Sequence, residues 1–350
     1  MSTSTIEQAV HYLQAGELVA LPTETVYGLG ADATNPEAVA RIFAAKDRPA
    51  DHPLIVHLAD TASLARWAQG IPQSAWALAA AFWPGPLTLI LKKQSWVPLV
   101  VTGGQDTVGL RVPAHPLTLE LLAAFAAARA PAAAGIAAPS ANRFGRVSPT
   151  TAAHVQEELG EEVSLVLDGG PCAVGIESTI VDFSRGAPEI LRPGAISPED
   201  IARVIGVLPR VRGKPSEGTH EPRGEGSDAE AATSVPRVSG SLAAHYAPLT
   251  LLRQVKSDEL AGAVRRLVQA GRRVAVLAHG VCAPCDAGAT LHWQAAASEP
   301  AAYARALYAN LRMLDALGAE IILVEEVPPG PDWQAVADRL GRAAAGSGVS

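Results

Sequence analysis

Apolar positions along this chain follow two spacings. Short continuous or alternating apolar runs stand at LVAL (18–21), PLIVHL (53–58), LTLILKK (87–93), TVGLRV (107–112), SLVLDGG (164–170) and STIVDF (178–183), and these predict β-strands. Between them the apolar residues recur at helical spacing. One helix is predicted to open at Asn35-Pro36, a capping side chain followed by a proline whose missing N–H costs nothing in a first turn. Others are predicted near 61–69, 73–82, 116–128 and 150–159. The pattern stops over 209–240, PRVRGKPSEGTHEPRGEGSDAEAATSVPRVSG, which has no apolar period and is rich in Pro, Gly, Ser and charge, as linkers are. It resumes with TLLRQV (250–255), a helix at 257–271, RVAVLAH (273–279), a helix near 299–317, EIILVEEV (320–327) and a helix near 333–344. That β-α-β-α series predicts a small parallel α/β domain. The organisation expected is a first domain over 1–207, a linker over 208–248 and a second domain over 249–350.

Composition agrees with two folded units. At about 150 residues per domain, 350 residues suffice for two, and 48% apolar with 18% charged residues is a core-forming composition. The formal net charge of −7 argues against a broad nucleic-acid-binding face and leaves room for a local basic cleft. The first twenty residues carry no basic segment before an apolar core, and no apolar run approaches the roughly 18 residues that span a bilayer. Three cysteines make no disulfide framework. A soluble cytoplasmic protein is expected.

The candidate chemistry begins at LPTETVYGLG (21–30), where an apolar strand gives way to polar residues and two glycines. Gly28-Leu29-Gly30-Ala31-Asp32-Ala33 fits the dinucleotide pattern G-x-G-x-x-A, but that pattern needs its glycines to open a helix, and the helix signal starts later, at Asn35. Thr23, Glu24 and Thr25 stand where ligand crevices form in α/β folds, although threonines also satisfy turns. Lys46 and Arg48 follow at the end of the first capped helix, with His57 on the next strand. Cations suit a helix C-terminus, and Lys and Arg beside a crevice also clamp phosphates. Arg111 lies inside an apolar strand, so it must be paired internally or face a ligand such as a carboxylate. The loop AAPSANRFGRVSPTT (137–151) concentrates Ser140, Asn142, Arg143, Arg146, Ser148, Thr150 and Thr151, groups that suit phosphate oxygens and also cap a helix. Glu177, Ser178 and Thr179 enter a later strand, Arg192 lies in LRPGAI, and HYAP (245–248) stands at the far edge of the linker. Cys282-Ala283-Pro284-Cys285, with His279 and His292 nearby, has the spacing of half a zinc site or a redox pair, without a second such pair.

PTETVYGLGA, K-x-R-P, HPLIVH, WPGPLT, VGLRVPAHP, APSAN-RFGRVSPTT, DGG, GIESTIVD, LRPGAI and HYAP, in this order, resemble the YrdC-type threonylcarbamoyl-AMP synthases in their longer, two-domain form. The match is dense over residues 5–207 and looser beyond, where it rests on HYAP and the terminal DWQAVADRLGRAA. The resemblance implies a twisted mixed β-sheet flanked by helices around a crevice, followed by a smaller Rossmann-like domain. It also implies a nucleotidyltransferase that converts L-threonine, bicarbonate and ATP into L-threonylcarbamoyl-AMP, pyrophosphate and water, with Mg²⁺ accompanying ATP and no resident metal. A separate transferase would then carry the group to adenosine 37 of tRNAs reading ANN codons. By motif position, Thr23, His57, Arg111, Ala138 and Ser178 would hold threonine, and Lys46, Arg48, Thr107, Ser140, Ser148, Arg192 and Tyr246 would hold ATP. The linker would fold over the site and bring the HYAP tyrosine to the nucleotide. Where many relatives carry P-G-M before HYAP, this chain has Val238-Ser239-Gly240-Ser241-Leu242, which keeps the glycine alone.

Two rival functions remain. Carbamoyltransferases with this domain make carbamoyl-AMP but add metal-binding segments that this chain lacks in sequence. A non-catalytic RNA-binding module would use the same basic crevice, against which stand the acidic net charge and the few aromatics.

Overall fold

The computed structural model describes residues 3–212, 235–240, 242–284 and 289–348. Most of the predicted linker (213–234), Ser241 of the strap before HYAP, and Cys285 lie outside the described residues. Among the described residues, ten strands form one mixed sheet: β1 (Val19–Leu21), β2 (Gly28–Asp32), β3 (Ile55–His57), β4 (Leu87–Lys92), β5 (Thr107–Arg111), β6 (Ile136–Ala137), β7 (Leu165–Val166), β8 (Thr179–Asp182), β9 (Glu189–Arg192) and β10 (Arg210–Val211). Their order is β10-β9-β8-β4-β5-β3-β6-β2-β1-β7, with β3/β5, β4/β8, β1/β7 and β9/β10 parallel and the other pairs antiparallel.

Eight described α-helices accompany these strands: α1 (Thr3–Gln14), α2 (Pro36–Lys46), α3 (Leu64–Trp67), α4 (Gln73–Phe82), α5 (Leu99–Thr102), α6 (Pro116–Arg129), α7 (Ala152–Leu159) and α8 (Pro198–Ile205). The two-residue period of the strands divides their side chains between two cores. Ala20, Val56, Leu110 and Val181 join a cluster with Ile42 of α2, Leu78 of α4 and Ile201 of α8. Val19, Leu21 and Ile136 join Leu13 of α1 and Phe125 of α6. Ile90, Ile180 and Leu191 are covered by Val238 from the far side of the linker. Ile55, His57, Gly109 and Arg111 alternate with Val56 and Leu110, so they face away from the first cluster, into the gap between the α1/α6 cover and Val238. The crevice lies in that gap.

The stretch 28–33 differs from its glycine pattern. It is a strand, β2, hairpinned onto β1 with Val19 opposite Gly30. A Cβ on Gly30 would lie 2.8 Å from Ile136 Cγ2 and from Leu21 Cδ2, so close packing of strands requires this glycine, not a phosphate turn. Five described strands escaped the sequence pattern: β2, β6, β9, β10 and, in the second sheet, Leu291–Ala295. β6 and β10 have two residues each, too few for any period to register.

The second sheet is wholly parallel: β11 (Leu252–Val255), β12 (Val274–Ala278), β13 (Leu291–Ala295) and β14 (Ile321–Glu325), in the order β11-β14-β12-β13. α9 (Ser257–Gln269) packs Leu260 and Val264 on the face carrying Val274, Val276 and Leu323. α10 (Pro300–Ala316) and α11 (Gln334–Gly346) cover the other face, where Leu307, Leu311 and Leu340 meet Ala275, Leu277 and Val324. That second cluster also takes in Val26, Val147, Ile176 and Tyr246, so α10 and α11 sit between the second sheet and the crevice-bearing half. No described helix is long and apolar enough to cross a membrane.

Candidate active site

A cavity of about 50 Å³ opens in the gap, walled by the turn after β1, the ends of β3, β5 and β9, the loops after β6 and before β8, and the far end of the linker. Of the twelve residues that the resemblance assigns to ligands, nine line it: Thr23, His57, Arg111, Ala138 and Ser178 of the threonine set, and Arg48, Ser140, Arg192 and Tyr246 of the ATP set. Lys46, Thr107 and Ser148 stand behind the wall. Lys46 is buried at the end of α2, where its ammonium donates to the carbonyls of Ser140 (2.6 Å) and Asn142 and so pins the wall loop. Burial, then the charge of Arg48, pushes its pKa well down, yet either protonation state supplies the donors those carbonyls require. Thr107 borders a side recess with Arg237 and Ser239. Ser148 donates to Glu177 Oε1 at 2.7 Å.

Each lining side chain is placed by a local device. Thr23 Oγ1 donates to Val26 O (2.6 Å) and accepts from the N–H groups of Thr25 (3.1 Å) and Val26 (3.2 Å). The threonine therefore closes its own turn and also lines the cavity. The turn carries Glu24 back to Arg111, whose Nη2 lies 2.7 Å from Glu24 Oε1, while Nη1 reaches Thr25 Oγ1 at 3.0 Å and Nε donates to Gly85 O at 3.2 Å. Arg111 thus has an internal carboxylate partner as well as a face on the cavity, and a ligand carboxylate would share it with Glu24. Burial alone would raise the Glu24 carboxyl; Arg111 and the Ala114 N–H bring it below its ordinary value.

α2 ends at Lys46 because Asp47 adopts the left-handed conformation (φ 52°), one that Asp tolerates better than most residues. The chain reverses there and delivers Arg48 to the cavity, its Nη2 on Pro53 O (3.2 Å) and Ser239 Oγ (3.3 Å) and its guanidinium carbon 5.5 Å from the Phe144 ring centre. Arg192, at the end of β9, donates Nε and Nη2 to Ser178 O and Nη1 to Ser239 O (2.9 Å). Ser178 Oγ meets Thr88 Oγ1 at 2.7 Å. The histidines are not cations. Burial, then Arg111, lowers His57 to about 3, and burial lowers His245 to about 3 as well. The positive charge at the cavity is therefore that of Arg48, Arg111 and Arg192, all three buried.

Several polar atoms here have no hydrogen-bond partner among the described residues: Arg48 Nε, His57 Nδ1, His245 Nδ1 and Tyr246 Oη. Buried polar groups are rarely left so, and a cluster of them on one cavity marks a place for a polar ligand. Three functional residues had no role from sequence. Glu177 lines the cavity, Ser239 ties Arg48 to Arg192, and Arg339 of α11 pairs with Glu177 at 2.8 Å. Arg339 carried a legible signal, being a charged residue at helical spacing from the buried Ala335, Val336 and Ala343. Of the Cys-x-x-Cys pair, Cys282 is exposed, and among the described residues no group of three or more His, Cys, Asp or Glu side chains could hold a metal ion.

The family model described as "Telomere recombination" (Sua5, YciO and YrdC) matches residues 11–194, and the model "Threonylcarbamoyl-AMP synthase, C-terminal domain" matches residues 196–345. Threonylcarbamoyl-AMP synthase of Pyrococcus abyssi is 38% identical over 347 residues, covering 97% of this chain and 93% of the relative. That of Bacillus subtilis is 37% identical over 344 residues, with the same two coverages. The solved structure of P. abyssi Sua5 complexed with L-threonine superposes with a TM-score of 0.81 at 37% identity, covering 97% of this chain and 94% of that one. The chain belongs to the threonylcarbamoyl-AMP synthase family, in its two-domain form.

Proposed function

We propose that the cavity is where this nucleotidyltransferase joins L-threonine, bicarbonate and ATP into L-threonylcarbamoyl-AMP, the first step of threonylcarbamoyladenosine formation on tRNA, releasing pyrophosphate and water. The observation that carries this reading is the convergence of three buried arginines and several unpartnered polar atoms on one small cavity. The threonine amine and bicarbonate form an N-carboxylate with loss of water. One of its oxygens then attacks the α-phosphorus of ATP, and the bond to the β-phosphate oxygen breaks. Two anions must meet for this, so fixed cations and prior positioning supply most of the acceleration. No covalent nucleophile is needed.

Thr23, His57, Arg111, Ala138 and Ser178 form the threonine end. Arg111 draws the amino-acid carboxylate beside Glu24, and the neutral His57 offers Nδ1 without adding charge. Arg48, Ser140, Arg192 and Tyr246 face the nucleotide directly. Lys46 and Ser148 act one layer behind by fixing the wall, and Thr107 borders the recess beside it. Bound with ATP, Mg²⁺ would supply neutralisation of phosphate charge. Glu177, the carboxylate on the cavity wall, is already taken by Arg339, so the donors left for the ion are hydroxyls such as Ser140 and the phosphates themselves. Ser239 and Gly240 of the linker's far end also line the cavity, and Ser239 bonds both Arg48 and Arg192. ATP enters as Ser239 and Gly240 move aside, and they close over it afterwards. The product would pass to a separate transferase, and a cytoplasmic setting accords with tRNA as the final acceptor.

The test is pyrophosphate release by the purified chain with ATP, Mg²⁺, bicarbonate and L-threonine, omitting one component at a time. Release requiring both threonine and bicarbonate is expected. Release that ignores threonine but requires carbamoyl phosphate would replace this reading with carbamoyl transfer.

A further inference from the structure

Glu177 joins the two halves of the molecule. Its Oε1 accepts from Ser148 Oγ at 2.7 Å, and its Oε2 accepts from Tyr308 Oη of α10 and from Arg339 Nε of α11, each at 2.8 Å. Arg339 is fully buried, donates Nη1 to Asp338 at 2.7 Å, and lies with its guanidinium carbon 5.3 Å from the centre of the Tyr246 ring. Tyr308 stands on the same ring, 5.7 Å between centres.

A carboxylate is a misfit in the wall of a pocket that must take phosphates and a carbamate. Its charge opposes both ligands through a surrounding that screens poorly. The arginines of the cavity do not hydrogen-bond it: Arg48 bonds Pro53 and Ser239, Arg111 pairs with Glu24, and Arg192 bonds Ser178 and Ser239. The charge is met from the other domain. Burial alone would raise the Glu177 carboxyl, but Arg339 first, then Arg192 and the hydrogen bond from Ser148, bring it down to about 2.

We propose that Arg339 is a positioning residue of the synthase reaction: as the counter-ion that the C-terminal domain supplies to Glu177, it cancels a repulsive charge at the nucleotide end of the cavity and holds Ser148 and Tyr246 in place. This rests on the reading given under Proposed function. It gives the second domain a direct electrostatic part in nucleotide binding.

The experiment measures pyrophosphate release and the binding of a non-hydrolysable ATP analogue by the full chain, as wild type, Arg339→Met, Glu177→Gln and the double variant. Arg339→Met is expected to raise the KM for ATP and the Kd of the analogue by about tenfold or more, the scale of a lost close charge pair, with much smaller effects on the KM for threonine. Adding Glu177→Gln should recover most of that loss, because the repelling charge is gone. An equal loss in the double variant would mean that Arg339 acts through packing alone, and an unchanged ATP affinity in Arg339→Met would mean that it does not act on the site; either overturns the proposal. If Arg339→Met does not fold, Arg339→Gln carries the test, since it keeps a donor near Glu177 and removes the charge. A rise in the KM for ATP that vanishes in the Glu177→Gln background supports the proposal, and no rise overturns it. A wild type whose pyrophosphate release ignores threonine and bicarbonate would instead remove the functional reading, while analogue binding would still report on Arg339.

Discussion

Gly240 offers a direct measurement of how tightly the strap from the linker must close on the site. Its φ is +74°, and a Cβ added there would lie 2.0 Å from Tyr246 Oη, 3.1 Å from Tyr246 Cζ and 3.3 Å from Arg192 Nη1. Two costs follow for Gly240→Ala. The left-handed backbone costs an L-residue about 1 kcal/mol. The clash is separate, and Tyr246 cannot relieve it easily. That tyrosine is buried, holds φ 62° itself, and is flanked by His245, Tyr308 and Arg339. The strap must therefore lift, which breaks the hydrogen bonds of Arg192 and Arg48 to Ser239, each worth about 1.5–3 kcal/mol as a bond to a charged group. Gly271 provides the control, since it has the same φ of +74° with nothing within 4 Å of the added Cβ. Denaturant unfolding and steady-state pyrophosphate release would be compared for the two variants. Gly271→Ala should lose about 1 kcal/mol of stability and keep the wild-type KM for ATP. Gly240→Ala should lose about as much or more and raise the KM for ATP about tenfold or more, since more than 1.4 kcal/mol of closing interactions is lost. A Gly240→Ala enzyme with unchanged ATP kinetics would refute the claim that the strap must seat against Tyr246 and Arg192 during turnover.

Three further outcomes are expected. The Glu177 carboxyl titrates at about 2 in the folded protein against an ordinary 4.5, so its contribution of about 3 kcal/mol is present above pH 4.5 and is lost as pH falls through the folded value. The stability difference between wild type and Glu177→Gln should accordingly shrink between pH 5 and the acid limit of measurement, and a difference independent of pH would contradict the pairing. Arg111→Lys cannot reproduce the fork that now reaches Glu24, Thr25 and Gly85, so the KM for threonine should rise about tenfold or more while the KM for ATP moves far less. Chelation of divalent ions by EDTA should stop pyrophosphate release and excess Mg²⁺ restore it; release that persists under chelation would exclude a role for the ion.

Arg111 and Arg339 show how far the chain could be read before folding. A charged residue on an apolar face must have a partner, and that rule singles out both. In the strand, Arg111 stood out as the one charged residue of the run TVGLRV. The same logic applied to DWQAVADRLGRAA points to Arg339, but a helix must be phased before its apolar face can be drawn. Lys46, Thr107 and Ser148 were found by motif position, and position along the chain does not distinguish a side chain on the cavity from one behind its wall.

Sequence alone determined the elements with strong period and clear ends. The Asn35-Pro36 start of α2 is one, because a cap and a proline act within a few residues, and the centre of the second sheet is another, because β12 and β14 are buried on both faces and apolar along nearly their whole length. The order of motifs likewise determined the family. Tertiary structure decided what depends on approach between distant segments. Gly28–Asp32 became a strand because Leu21 and Ile136 press on Gly30, and Arg111 acquired Glu24 because the turn after β1 folds back. Arg339 reached Glu177, 162 residues earlier in the chain, because α10 and α11 pack between two sheets whose separate patterns give no sign of each other. Hydrophobic period is a local quantity, whereas the pairing of buried charges is settled only when the low-dielectric interior that makes it necessary has formed.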